Sequence, residues 1–313
     1  MFELFLPFFL LVLFLLFLVL TIIWRINARK YISAGTVASA YDAWTQDKLL
    51  ERLWGEHIHL GFYPSGKKNI DFRNAKVQFV HELVKWSGLD KLPKGSRILD
   101  VGCGIGGSSR ILAKYYGFNV TGITISPAQV KRARELTPIG LNCNFQVMDA
   151  LNLKFEDGSF DAVWSVEAGA HMNDKSKFAD EMLRTLRPGG YLALADWNSR
   201  DLRSHPPSLF EKLVIKQLLE QWVHPNFISI NEFADIIKTN KNSSGKVFSE
   251  NWNAYTNPSW YDSIIEGIRR PFAILTLGPL AIVKSIREIP TILLMNWAFG
   301  KGLMEFGVYK CRG

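Results

Sequence analysis

Hydrophobic and polar positions divide the chain into four stretches. In the first, residues 4–24 form a run of 21 without a charge, dominated by Leu and Phe. As a helix this run is about 31 Å long at 1.5 Å per residue, enough to cross the hydrocarbon core of a bilayer. Pro7 falls in the first turn, where proline is tolerated, Trp24 stands where interfacial rings collect, and Arg25, Arg29 and Lys30 follow at once. The pattern predicts an N-terminal transmembrane helix, with residues 1–30 as anchor and basic flank and the rest of the chain cytoplasmic. A cleaved signal peptide, with Ala38-Ser39-Ala40 as its small-residue site, is disfavoured. The basic residues follow the apolar run instead of preceding it, and the run is too long for a signal core.

The second stretch, residues 31–94, reads mostly as helix from Thr36 on. Val77, Val80, Leu83 and Val84 recur on one face until Pro93-Lys94-Gly95 breaks the pattern, which predicts a helical cap ahead of the main sheet. In the third, residues 95–197, short apolar runs at 98–101, 120–124, 145–148, 162–165 and 191–195 alternate with amphipathic segments, as in a parallel α/β sheet. One helix there is well marked. Asn173 or Asp174 caps it, Phe178, Met182 and Leu186 form its stripe, and Pro188-Gly189-Gly190 stops it. The fourth stretch, residues 198–313, loses the alternation. Helical segments rich in Trp, Leu and Ile run to about residue 303, broken at 241–245 and by a strand-like 246–254. They predict a lid or substrate region, after which a last strand at 305–310 returns to the sheet. Residues 271–283 are too short to span a membrane and are interrupted by Gly278-Pro279; they are either lid core or a surface that touches lipid.

With 313 residues, 48% hydrophobic and 21% charged, the chain can bury a full core, and disorder is excluded. The net charge is +8, and Glu3 is the only charged residue before Arg25, so the basic surplus lies entirely on the body. No RNA or DNA motif accompanies it, and next to an apolar anchor it suits anionic lipid. Cys103, Cys143 and Cys311 are odd in number and lack disulfide or metal-ligand spacing, which suits a reducing compartment.

The first strand of the third stretch runs directly into Gly102-Cys103-Gly104-Ile105-Gly106-Gly107, and a helical pattern follows. Glycines at such a turn let a ligand approach the backbone with no Cβ in the way. The string also fits the G-x-G-x-x-G of dinucleotide folds. About 20 residues on, however, where an acidic residue takes the ribose hydroxyls of a nicotinamide cofactor, stands Thr124. Asp100-Val101-Gly102-Cys103-Gly104-Ile105-Gly106-Gly107, Gly122-Ile123-Thr124-Ile125-Ser126-Pro127, Asp157-Gly158-Ser159-Phe160-Asp161 and Leu186-Arg187-Pro188-Gly189-Gly190 occur in that order. Together they resemble the motifs of S-adenosylmethionine-dependent methyltransferases of the tocopherol-biosynthesis type. The likeness extends to Trp54-Gly55-Glu56-His57-Ile58-His59-Leu60-Gly61 and Arg287-Glu288-Ile289-Pro290-Thr291-Ile292-Leu293-Leu294. With the anchor included, the whole chain is similar to the 2-methyl-6-phytyl-1,4-benzoquinol methyltransferases of oxygenic photosynthetic bacteria.

The resemblance implies an α/β fold: a Rossmann-like, seven-stranded methyltransferase sheet with a helical cap and lid. It implies S-adenosyl-L-methionine as cofactor, no metal, a prenylated quinol as substrate, no nucleic acid, and a lipid bilayer, thylakoid or plasma membrane, as partner. It places Asp100, Gly102, Cys103, Gly104 and Gly106 beside the methionine and ribose of the cofactor, Thr124 at the ribose, and Asp149 with Ala150 at the adenine. The usual acidic residue after the second strand is missing, as in the Gly-Ile-Thr subgroup, so one ribose contact is replaced. Asp149 is alternatively an ordinary turn carboxylate.

A sulfonium methyl is already electrophilic, so the protein's task is to hold it in line with a nucleophile and to exclude water. On a quinol ring the nucleophile is a carbon ortho to a hydroxyl, and a phenol titrates near pH ~10, so a positioned base helps at neutral pH. Ser165-Val166-Glu167-Ala168-Gly169-Ala170-His171-Met172 follows the fourth strand, at the carboxyl end where ligands sit. His171 is the candidate base or hydroxyl-orienting group, and Glu167 orients it or faces the cofactor. Alternatively, His171 caps the helix begun near Asn173 and Glu167 makes a structural hydrogen bond. His57 and His59 lack a third metal ligand and fit a cap folded over the cofactor, where Tyr41 and Trp54 either offer aromatic faces to the sulfonium or are cap core. Two rival functions remain: a γ-tocopherol methyltransferase, and a cofactor-binding membrane protein without turnover.

Overall fold

Strands covered on both faces must be apolar along their length, and the runs at 98–101 and 162–165 meet that demand: Ile98, Leu99, Val101, Ala162, Val163 and Trp164 are all fully buried. The structure, a computed structural model, describes residues 2–26, 28–64 and 70–313, with side chains throughout except at 2–6, 13, 16, 17, 20, 23 and 26. Its strands are β1 (Arg97–Val101), β2 (Asn119–Thr124), β3 (Cys143–Val147), β4 (Phe160–Val166), β5 (Leu186–Ser199), β6 (Phe248–Asn251) and β7 (Met304–Arg312). Among the described residues these form one seven-stranded sheet in the order β3-β2-β1-β4-β5-β7-β6. β1 to β5 are parallel, and β7 runs antiparallel between β5 and β6. This is the Rossmann-like methyltransferase sheet that the motifs imply.

Four helices precede β1: α1 (Phe2–Ile26), α2 (Ala34–Gln46), α3 (Leu49–Trp54) and α4 (Phe72–Ser87). The predicted stripe of α4 lies inward, with Val80, Leu83 and Val84 fully buried. α5 (Gly107–Tyr116), α6 (Pro127–Leu136) and α7 (Lys175–Thr185) follow β1, β2 and β4. Alternate strand residues supply two cores: Ile98, Ala162, Trp164 and Ala193 meet α4 and α5 on one face, while Leu99, Val163, Leu192 and Leu194 meet α7 on the other. Asp174 caps α7 by accepting from Lys177 N at 2.8 Å. Leu186, expected on the helix, is extended and opens β5, yet its side chain still joins the core of Phe178 and Met182.

Beyond β5 come α8 (Leu209–Gln221), α9 (Ile230–Thr239), α10 (Asn253–Thr256), α11 (Pro258–Arg269), α12 (Pro271–Leu275) and α13 (Pro279–Gly300). The strand-like 246–254 becomes β6 at the sheet edge. Residues 271–283 have two faces: Phe272, Leu280 and Val283 are 76, 65 and 62% exposed, while Ala281 is buried against Leu49 and Leu53 of α3, with Ala273, Ile274 and Leu277 packed on that cluster.

Among the described residues no helix is long and apolar enough to cross a membrane. α1 is continuous as a helix, but the crossing expected at 4–24 falls partly outside the described side chains. Those that are described, including Phe8, Phe9, Leu10, Leu11, Phe14 and Leu15, are exposed. Its end is fastened to the body. Trp24 Nε1 donates to Thr291 Oγ1 at 3.0 Å, Gln221 Nε2 donates to the Trp24 carbonyl at 3.3 Å, and Arg29 pairs with Glu288 at 2.7 Å.

The loop after β1 packs so closely on the segment after β4 that a Cβ at Gly102, held at φ 78°, would overlap the Cβ of Ala168. Gly102→Ala is expected to destabilise by about 2 kcal/mol or more, from overlap together with the left-handed backbone. Ala168→Gly combined with it should recover the overlap part alone. A double-mutant cycle of thermal unfolding checks this, and equal losses in single and double variants would contradict it.

Candidate active site

Open α/β sheets bind ligands at the carboxyl ends of their strands, where the strand order reverses; here that point lies between β1 and β4. A cavity of about 420 Å³ occupies it. Asp100, Gly102, Cys103, Gly104, Thr124, Asp149 and Ala150 line it from the loops after the strands. Tyr41, Trp44, Trp222, His224 and Trp260 line it from the cap and lid, together with Glu167, His171 and Trp197 of β5. Gly106 alone of the predicted cofactor residues is not on the wall; it lies against the Phe145 ring and the Arg110 guanidinium.

Gly104, at φ 55°, is the open position. A Cβ built there meets nothing nearer than the Gln129 amide nitrogen at 3.9 Å, so a ligand can reach the backbone. Asp100 is buried, accepts from Ser109 Oγ at 2.5 Å, and is pushed up to about 7 by burial against the pull of that bond. The Thr124 hydroxyl is engaged, donating to Gln129 Oε1 at 2.6 Å. Asp149 closes a turn by accepting from Leu151 N at 2.9 Å, and it lines the cavity as well. Gln129, buried on α6 and on the same wall, escaped the sequence reading. Its place three residues after the Ser126 cap, in the first turn of the helix after β2, was the available signal.

His171 sits in a short turn, Gly169–His171, ahead of α7. Since Asp174 caps that helix, the capping alternative for His171 is set aside. Its Nδ1 donates to the Val223 carbonyl at 3.3 Å and its Nε2 accepts from the Tyr41 hydroxyl at 2.7 Å. Burial lowers the imidazole to about 4, with the Val223 carbonyl pulling the other way, and burial raises the Tyr41 phenol, helped by the Glu167 and Asp196 charges. Glu167 does not touch His171. Held at φ 53°, it accepts from Leu60 N at 2.7 Å. Burial raises its carboxyl to about 8 despite that bond and the nearby Lys76. Asp196 and Lys175, also missed from sequence, hold the 169–171 turn: Asp196 accepts from Ala170 N at 3.1 Å, and Lys175 donates to the carbonyls of Gly169 and Met172 at 2.6 and 2.8 Å.

The segment carrying His57 and His59 covers the glycine loop. Glu56 pairs with Arg110 of α5 at 2.7 Å, and a Cβ on Gly107 would collide with the Glu56 carbonyl and the His57 ring. The two histidines bond each other at 3.0 Å, and His59 Nδ1 donates to the Leu60 carbonyl at 2.8 Å. Among the described residues no group of three or more His, Cys, Asp or Glu is placed to hold a metal ion. Trp54 lines the cavity but gives its face to the buried Lys76 ammonium, 4.7 Å from the ring centre.

Comparison with known proteins gives this geometry its family. Residues 99–194 match the family described as "Methyltransferase domain". The chain is 55% identical, over 92% of its length and 91% of the relative's, to the 2-methyl-6-phytyl-1,4-hydroquinone methyltransferase of Synechocystis sp.. It is 33% identical to the chloroplastic tocopherol O-methyltransferase of Arabidopsis thaliana, over 84% of its own length and 78% of that protein's. The chain belongs to the tocopherol-type S-adenosylmethionine-dependent methyltransferases. Among solved structures, a putative sarcosine dimethylglycine methyltransferase from Galdieria sulphuraria superposes with a TM-score of 0.73 at 22% identity, covering 87% of this chain and 98% of that one. The geranyl diphosphate C-methyltransferase of Streptomyces coelicolor does so at 0.66 and 17%, covering 89% and 97%, and shows the shared fold.

Glu167 carries a pH signature. Its folded pKa is raised from 4.5 to about 8, so the folded state holds a proton that the unfolded state loses, and stability falls as pH rises from about 4.5 to 8. Glu167→Gln keeps an acceptor for Leu60 N and removes the titration. Relative to wild type, its Tm is expected to rise between pH 5 and pH 8 by the equivalent of a few kcal/mol, because each tenfold difference in proton affinity between the folded and unfolded states is worth about 1.4 kcal/mol. A constant difference across that range would contradict the assignment.

Proposed function

We propose that this methyltransferase transfers a methyl group to a ring carbon of a prenylated benzoquinol, 2-methyl-6-phytyl-1,4-benzoquinol, beside a membrane. One observation carries the reading: the cavity bordered by the glycine loop is continued by a mostly apolar wall of rings, Tyr41, Trp44, Trp197, Trp222 and Trp260, with Ile292. Such a wall suits an aromatic ring bearing an isoprenoid tail, whose burial is worth about 0.8 kcal/mol per methylene. The names of the Synechocystis and Arabidopsis relatives support the same acceptor class.

When bound, S-adenosylmethionine supplies an electrophilic methyl on a sulfonium. The open backbone at Gly104 fits such a ligand. Asp100, Gly102, Cys103 and Gly104 hold its methionine and ribose, Thr124 acts at the ribose through Gln129, and Asp149 with Ala150 borders the adenine. Gly106 serves by seating the loop on Phe145. Asp100 and Glu167, both pushed by burial towards their protonated forms, are the acids whose ionisation balances an arriving cation. His171, neutral and with both nitrogens engaged, fixes the Tyr41 hydroxyl on the cavity wall and through it orients the acceptor's hydroxyl.

The membrane enters through α1, whose exposed apolar side chains need a cover that water does not provide. Phe272, Leu275, Leu280 and Val283 extend the same demand to α12 and the start of α13. Arg29, fastened to Glu288, lines the cavity itself, which brings the lipid-facing helix to the site where a tail would leave. Full-length protein is expected to resist high-salt and carbonate extraction from membranes, and release by salt alone would contradict the anchor.

The acceptor is tested by offering purified enzyme the tailed quinol, its quinone, the tail-free methylquinol and γ-tocopherol in matched detergent. The tailed quinol should give the highest kcat/KM by at least about 10-fold. Preference for γ-tocopherol would reassign the enzyme to the chromanol, and absence of transfer to all four would leave a cofactor-binding protein.

A further inference from the structure

His224 has no part in the reading above, and it is placed in a way that a structural histidine does not require. It follows α8, is 3% exposed, and lines the cavity. Its Nδ1 lies 3.3 Å from the Ala170 carbonyl; a carbonyl only accepts, so Nδ1 carries the hydrogen and Nε2 keeps its lone pair. That Nε2 is buried and meets no partner within the protein. An unmet buried acceptor is destabilising, and one on a cavity wall can be satisfied by a group that enters the cavity. Trp260 Nε1, on the same cavity wall, is a buried donor in the same state. The Trp197 ring centre is 5.3 Å from each of theirs, and its Nε1 is a buried donor in the same state. His171, stacked on His224 at 4.3 Å, has both nitrogens engaged by Tyr41 and Val223.

The backbone holds this arrangement at a cost. Val223 sits at φ 61°, a conformation that a β-branched residue keeps only when its surroundings enforce it. Its N–H donates to the Arg29 carbonyl at 3.1 Å, and its own carbonyl is the one that binds His171. The turn that ties the end of the N-terminal segment to the lid is therefore also the turn that positions His224.

We propose that Nε2 of His224 takes the proton from the acceptor's ring hydroxyl. This rests on the quinol reading above. The O–H bond breaks toward Nε2, the oxygen's electron pair moves into the ring, and the ortho carbon bonds the methyl as the methyl–sulfur bond breaks, leaving a neutral thioether. The hydrogen on that carbon then departs to solvent as a proton while the ring regains aromaticity, and Nε2 returns its proton to the oxygen. One proton is released per methyl transferred.

The test uses the full-length enzyme with the tailed quinol. His224→Asn keeps a donor for the Ala170 carbonyl and removes the acceptor at Nε2. Its kcat is expected to fall about 100-fold or more, with the Kd for S-adenosylmethionine within twofold of wild type. In His224→Gly, imidazole added to the buffer should restore part of the lost rate. A His224→Asn enzyme that keeps more than a third of the wild-type kcat overturns the proposal. So does a rate loss accompanied by equal loss of cofactor binding and indifference to imidazole, which would mark a structural residue. A wild-type enzyme inactive on every quinol would overturn both this proposal and the function reading, whereas an active wild type beside an active variant overturns this one alone.

Discussion

Around the cavity, titratable groups from different elements are driven the same way, towards their uncharged forms, because burial removes the water that would solvate a charge. Asp100 is pushed up to about 7 and Glu167 to about 8, while His171 falls to about 4, His59 to about 3 and Lys175 to about 8. The cap, the lid and the covering segment with His57 all serve this dryness. They are tied down by apolar packing, with Leu60, Phe62, Phe79, Trp252 and Trp260 in the core of one sheet face, and by polar links: Glu56 to Arg110, Asp42 to Ala128 N at 3.1 Å, Glu51 to Arg132 at 2.5 Å. A dry wall whose acids and bases are biased towards their uncharged forms is a setting in which an incoming cation is poorly screened.

Backbone strain is concentrated where that wall is made. Glu167 and Val223 both hold positive φ without being glycine, and each is fixed through main-chain bonds to a distant element, Glu167 from its carboxyl to Leu60 N and Val223 from its N–H to Arg29 O. Residues in such conformations persist only when the rest of the structure over-determines them. The N-terminal segment, the cap and the lid thus meet at the site, so the apolar N-terminal helix is mechanically continuous with the acceptor wall.

Much of the sheet was legible because parallel strands leave uninterrupted apolar runs, and the loop at 102–107 was legible because glycines that must open a backbone have no substitute. Asp100, Gly104, Thr124, Asp149, Glu167 and His171 follow strands at their carboxyl ends, and strand position alone brings them together. Gln129 carried one signal, its place in the first turn after the Ser126 cap, whereas the neighbours of His224, Trp222-Val223, say nothing of what it faces across the fold. The role of Gly106 differed for a related reason: its spacing marks the loop, but only the position of Phe145 shows that it faces inward. The two faces of 271–283, one packed on α3 and one exposed, and the Asp174 cap that sets aside capping by His171 are features of the fold that periodicity does not carry.

The claim that burial favours the protonated forms of Asp100 and Glu167 until a cation arrives can be measured directly. Calorimetric titration at pH 7, in buffers of different ionisation enthalpy, counts the protons exchanged as S-adenosylmethionine binds, and the same titration with S-adenosylhomocysteine removes the sulfonium charge alone. Binding of the sulfonium form is expected to release more protons than binding of the thioether, by up to about one per site. Equal proton counts for the two ligands would contradict a cavity whose acids wait in their neutral forms.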